Sequence, residues 1–140
     1  MRDGNTMREE IECSRVLTSF ATYLDQRRYD DLIALTTPDC CWSSKGVARG
    51  HAEIRERLAA RPSNRTTLHL LTNLQVEIGD DMIARAHSCI LVYRFDEDGQ
   101  FPFQTTTPHT VARCEDLLTK ALGHWLIMER RMSVIAQQSD

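Results

Sequence analysis

No apolar run in this chain approaches the roughly 20 residues that a membrane helix needs, and the N-terminus shows no basic-then-apolar secretory pattern. The histidines and cysteines have no CxxC or regular ligand spacing, and neither a glycine-rich phosphate loop nor a GxSxG elbow is present. Zinc, nucleotide-phosphate and serine-hydrolase chemistry therefore lack support, and a protein without metal or cofactor is expected. A basic excess is also missing. The formal net charge of -3 argues against nucleic acid or an anionic membrane as a partner, since counterion release needs a basic face. Five cysteines, an odd number, do not make a disulfide framework, so a soluble protein in a reducing, cytoplasmic setting is expected.

With 140 residues, 41% of them hydrophobic and 26% charged, the chain fits one domain with a real core. Residues 1 to 6 are polar and unpatterned and read as a mobile tail before a domain spanning 7 to 140. From Met7 to about Arg27, Cys13, Val16, Leu17, Phe20 and Leu24 recur at steps of three and four, the stripe of an amphipathic helix. At 100° per residue, Asp25 falls roughly 125° from the centre of that stripe and reads as a surface residue. A short helix over Tyr29 to Leu35 is stopped by Thr37-Pro38, and a third runs from Gly50 to about Arg61. Arg55, Arg57, Arg61 and Arg65, interleaved with Glu53 and Glu56, read as a solvated helix face.

The remainder is strand. Cys40 to Trp42 form a short one, whose Cys40 and Cys41 point to opposite faces. Trp42 either lines a ligand cavity or fills the core. In residues 65 to 79 the apolar Leu68, Leu70, Leu74, Val76 and Ile78 alternate with the polar His69, Asn73, Gln75 and Glu77, and Leu71 and Thr72 break the pattern. His69 thereby falls on the polar face. Met82 to Phe95, about Phe103 to Cys114 and about Leu122 to Ile135 complete a four-to-five-stranded antiparallel sheet, with Asp98-Gly99 as a hairpin turn. His87 shares a row with Cys89, Leu91 and Tyr93, which faces either a pocket or the outer side of the sheet. His51 reads as a helix cap or a solvated residue, His109 as loop-exposed, and His124 as a structural neighbour of a buried tryptophan. Three helices ahead of or within such a sheet make the class α+β.

This order of elements, with Tyr23-Leu24-Asp25 near the first helix end, Tyr29-Asp30-Asp31-Leu32, Gly50 before the third helix, and His69 to Val76, resembles the nuclear transport factor 2-like superfamily and its SnoaL-like branch. The resemblance implies a cone of curved antiparallel sheet closed by three N-terminal helices, with an internal pocket and dimerisation through the sheet. Scytalone dehydratase and bile-acid 7α-dehydratase, within that superfamily, set an aspartate at the end of the first long helix against a histidine on the strand after the third. Asp25 and His69 are the matching positions. The implied chemistry is general acid-base catalysis, with the carboxylate fixing the imidazole tautomer while the free ring nitrogen moves a proton. Two departures stand out: Phe20 replaces a catalytic tyrosine of the bile-acid enzyme, and Val134 replaces an arginine of its last strand. Tyr23, Tyr93, Asn73 and His87 are the replacement donors on offer, and Phe20 and Trp42 join them as substrate-binding candidates.

Two functions follow. One is a lyase or isomerase acting on a hydrophobic oxygenated molecule, such as a polyketide, steroid or aromatic-derived hydroxy-ketone, in a homodimer. The other is a noncatalytic ligand-binding or assembly domain resembling the small subunits of ring-hydroxylating dioxygenases.

Overall fold

The computed structural model describes residues 4–104 and 107–139. Helix α1 (Gly4–Asp25) precedes α2 (Tyr29–Ile33), β1 (Thr36–Ser44), β2 (Gly46–Arg49), α3 (Gly50–Ala59), β3 (Arg65–Ile78), β4 (Ile83–Asp96), β5 (Thr110–Ala121) and β6 (His124–Gln137). The strands form one curved sheet in the order β2-β1-β6-β5-β4-β3, so β2 and β3 are its edges and it does not close into a barrel. The class is α+β, as expected.

The expected α1 stripe is buried at Cys13, Leu17, Phe20 and Leu24, and Val16 packs beside it. Glu9 also goes under, because Lys120 and the Trp125 indole N–H both donate to its carboxylate. The helix ends in a Schellman motif: Arg28 N–H donates to the Tyr23 carbonyl and Arg27 N–H to the Leu24 carbonyl, with Arg27 in the left-handed region at φ 58°. Asp25 is thereby the last helical residue.

Several expected boundaries shift. Helix α1 takes in Gly4 to Thr6, which the tail reading had outside the domain, while residues 1–3 of that tail lie outside the described residues. The short strand around Cys40 grows to nine residues, and β2 is added by a turn at Lys45. The strand expected from Phe103 begins only at Thr110; Phe103 instead stacks on Phe95, with ring centroids 5.1 Å apart, and residues 105–106 lie outside the described ones. The sheet has six strands and is mixed, because β1 pairs parallel with β6, joining helical hairpin and sheet in a way that local periodicity does not encode.

The register of β3 has the largest consequence. Thr72 pairs with Cys89 and Gln75 with His87, so Asn73 and Leu74 together face one residue of β4, a β-bulge with Asn73 at φ 52°. The bulge switches which side chains point inward. Beyond it Leu74, Val76 and Ile78 pack against the core, whereas before it Thr67, His69 and Leu71 turn inward and Leu68 and Leu70 stay 54% and 43% exposed.

Candidate active site

The inward row of β3 runs antiparallel along one flank of α1, with Glu10, Ile11 and Ser14 beside residues 74–77 and the end of the helix beside Thr67 and His69. Asp25 therefore meets β3, correcting the reading of it as a surface residue: a helical wheel measures the angle to the main apolar stripe and misses a strand on the flank. Asp25 Oδ1 lies 2.6 Å from His69 Nδ1, Asp25 Oδ2 accepts the His69 backbone N–H at 2.8 Å, and the Thr67 hydroxyl donates to Oδ1 at 2.9 Å. Burial pushes this carboxyl up, but the hydrogen bonds from His69 and Thr67 outweigh it and hold the group below the usual aspartate value. An ionised Asp25 fixes the proton on Nδ1 and leaves Nε2 as the basic nitrogen. Among the described residues Nε2 has no hydrogen-bond partner.

His69 lines a cleft of about 350 Å³, together with the apolar Leu24, Trp42, Val92, Met132 and Val134. Its other walls are cationic. Arg57, Arg61, Arg65, Arg94 and Lys45 line it beside the neutral Ser44, Thr110 and Gln137, and none of the described lining residues is acidic. Arg61 donates to the Leu24 carbonyl, the Tyr29 hydroxyl and Thr67 Oγ1, so a chain of hydrogen bonds runs from Arg61 through Thr67 to Asp25 and His69. Arg57 donates to the carbonyls of Trp42, Lys45 and Gly46 and lies over the Trp42 ring, 5.1 Å from its centroid. Arg65 and Arg94 share one carboxylate, Asp96, which their hydrogen bonds hold far below its ordinary range. Only Arg55 of the expected solvated face fits that description, paired with Asp30 at the surface. Two residues along a helix is a turn of 200°, which sends Arg55 and Arg57 to opposite sides.

The other candidates divide sharply. Trp42 is both core and lining, 8% exposed and edge-on to Phe20 at 5.4 Å. Phe20 is buried beneath it with the Arg130 guanidinium over its ring, outside the cleft lining. Tyr23 carries the Arg28 guanidinium on its ring and does not line the cleft either. Asn73 is the exposed bulge residue. His87 and Tyr93 alternate with the buried Ala86, Ser88 and Val92 and so belong to the outer face, His87 opposite Glu115 and Tyr93 opposite Leu68. His109, expected in an exposed loop, is half-buried in the cleft wall, where its Nδ1 meets Thr110 Oγ1 at 2.8 Å and its Nε2 meets Arg94. His51 is half-buried too, its Nε2 3.0 Å from Thr36 Oγ1, while His124 is exposed. The arginines were missed; the alternation of charge sign hid them, and the four-residue step from Arg57 to Arg61 was the available signal. Among the described residues no three His, Cys, Asp or Glu side chains gather into a cation site.

The profile of the SnoaL-like domain matches residues 5–131. Among solved structures, the chain is similar to a candidate scytalone dehydratase from Novosphingobium aromaticivorans, at 19% identity over 97% of this chain and 89% of that one, with a TM-score of 0.79. ActVI-ORFA from Streptomyces coelicolor is 19% identical over 89% and 96% of the two chains, with a TM-score of 0.74. A candidate aromatic ring hydroxylase from N. aromaticivorans is 17% identical over 95% and 93%, with a TM-score of 0.77. At these identities the likeness is one of fold. Among curated protein sequences nothing matches.

Proposed function

The chain belongs to the SnoaL-like domain family, a family of small-molecule-binding or catalytic domains, and from that premise we propose that it is a cofactor-independent lyase or isomerase acting on a hydrophobic oxygenated small molecule. A polyketide, steroid or aromatic-derived hydroxy-ketone is the substrate type. The observation that carries this reading is the 2.6 Å contact between Asp25 and His69 at the wall of a cleft. His69 Nε2 takes a proton alpha to a carbonyl, Asp25 supports the imidazolium that forms, and the proton returns either to a departing hydroxyl or to another carbon. Hydroxyl loss gives dehydration, and carbon reprotonation gives isomerisation. The donors that the sequence comparison left missing are supplied by the lining guanidiniums, of which Arg61 touches the dyad network directly.

A panel of hydroxy-ketones incubated in deuterated water tests it, with exchange and water loss followed by mass. Wild type is expected to exchange the alpha proton of at least one compound, His69→Ala to lose about 10²–10⁴-fold of that rate, and Asp25→Asn to fall with it. Full rates in both variants would remove the proposed roles. The noncatalytic reading draws on Phe20 and Val134, which bring neither phenol nor guanidinium, and on the likeness to a candidate aromatic ring hydroxylase. Copurification with a larger partner would favour it. The proposal also includes a cytoplasmic homodimer associating through the outer sheet face, which Leu68 and Leu70 leave apolar and exposed. Among the described residues no helix is long and apolar enough to cross a membrane.

A further inference from the structure

We propose that the ligand of the cleft is an anion in its resting state, a hydrophobic molecule bearing a carboxylate that docks on Arg57 and Arg61. The inference rests on the reading of this cleft as the substrate site and adds the chemical class of its occupant. The chain as a whole is acidic, at a net charge of -3, yet four guanidiniums and Lys45 line one cleft, and among the described residues the carboxylates seen to bond to its arginines and histidine are Asp25 and Asp96. Asp96 is shared by Arg65 and Arg94, and Asp25 is committed to His69.

Arg57 and Arg61 make no ion pair among the described residues. Their partners are carbonyl and hydroxyl oxygens, which fix each guanidinium without cancelling its charge. Each spends three of its five N–H groups in those bonds, leaving two for a ligand. Burial alone lowers the Arg57 pKa, as expected for a cation without a counter-charge. On Arg57 both Nη2 hydrogens are taken, so Nε and Nη1 each offer a single bond, whereas Arg61 keeps Nε and one Nη2 hydrogen, and a carboxylate can place one oxygen on each arginine.

The reaction itself does not balance this surplus. Proton transfer from a neutral ketone to His69 creates an imidazolium and an enolate together, so the net charge of the cleft is the same before and after. A charge that persists through the whole cycle calls for a partner that does so too, and a carboxylate on the substrate is one. Trp42, beneath Arg57, and Val92, Met132 and Val134 supply the apolar wall for the rest of the molecule.

The test compares 2-naphthoate with its neutral methyl ester, titrated into the whole protein by calorimetry at low and high salt. The acid is expected to bind at least about tenfold more tightly, with the advantage shrinking as salt rises. Arg57→Met is expected to bring the two affinities together, and Arg57→Lys to keep part of the difference. An ester that binds as well as the acid in wild type, an acid that shows no saturation, or a folded Arg57→Met protein that keeps the full preference would each overturn the proposal. The wild-type comparison needs no variant to fold. His69→Gln separates the two readings: a preference kept there supports the anion site whatever becomes of proton exchange, while loss of exchange reports only on the dyad.

Discussion

Asp25 occupies the last position of α1, where the helix dipole is negative and a carboxylate is locally unfavourable. The cost is offset by three hydrogen bonds to its ionised form, from the His69 ring, the His69 backbone and Thr67. A carboxyl depressed in the fold binds fewer protons there than in the unfolded chain, so its stabilisation is full above the ordinary carboxylate range and is lost as pH falls through the folded value. Asp25→Asn is therefore expected to lower unfolding free energy by about 1–3 kcal/mol at pH 7. In urea titrations the gap to wild type should narrow below about pH 4, the usual aspartate range; a gap that stays constant down to pH 2.5 would contradict the ionised, hydrogen-bonded state. The cysteines behave oppositely. Burial pushes the Cys13, Cys40 and Cys114 thiols up to about 12, while Cys41 and Cys89 are half-buried. Since the thiolate is the reacting form, a disulfide reagent at pH 8 should label Cys41 in the native protein and Cys13, Cys40 and Cys114 only after unfolding, while Cys89, in the outer-face row between His87 and Leu91, should label more slowly in a dimer than in a monomer. At this scale the sequence was informative about identity and poor about place: the Asp25 and His69 pairing came from the order of motifs, whereas the helix wheel put Asp25 in solvent.

Among the elements, β3 shows why. Strict alternation assigns Leu68 and Leu70 to the same side as Leu74, Val76 and Ile78, and it is correct on either side of Asn73 but not across it. The two exceptions, Leu71 and Thr72, mark the approach to the phase change, and an asparagine follows because it tolerates the left-handed region better than most residues. In strict alternation with Asn73 kept, His69 would share a face with Gln75 and Glu77 and lose Asp25. Asn73→Val is expected to cost about 1–2 kcal/mol through the left-handed backbone, and Asn73→Gly to be nearly neutral. Deleting Asn73 is the sharper probe. One residue fewer removes the bulge while Thr67, His69, Leu71, Leu74 and Val76 still alternate inward, so the deletion is expected to keep His69 beside Asp25 and to retain proton exchange, with circular dichroism reporting whether the sheet survives. A folded deletion variant without exchange would contradict the reading of Asn73 as the one extra residue between two inward rows. The last turn of α3 and the residues beyond it escaped for a related reason: charge composition describes a helix as a whole, while Arg55 and Arg57 face different neighbours.

For the molecule as a whole, the curved sheet separates two surfaces of opposite character. Its concave side carries the dyad and the arginines. Its outer side presents Leu68 opposite Tyr93, Leu70 opposite Leu91, and Val111 next to Leu91 across β4 and β5, an apolar band spanning three strands. Beside it lies a charged strip in which His87 faces Glu115 and Glu115 pairs with Arg131 at 3.3 Å. A two-fold axis through such a face sets apolar band on apolar band and allows each acidic side chain to meet a basic one, which suits a self-complementary interface. The class and the helix order were readable from periodicity, but the parallel pairing of β1 with β6 joins residues about 90 positions apart and left no local trace. Light scattering at micromolar concentration should give twice the chain mass for wild type, and Leu70→Arg should give the chain mass with the far-ultraviolet spectrum unchanged, because two like charges would be forced together in an apolar contact. A monomeric wild type would remove the homodimer. If Leu70→Arg is monomeric yet keeps proton exchange, each cleft works within one chain, as expected from a dyad, a lining and four arginines that all belong to the same protomer.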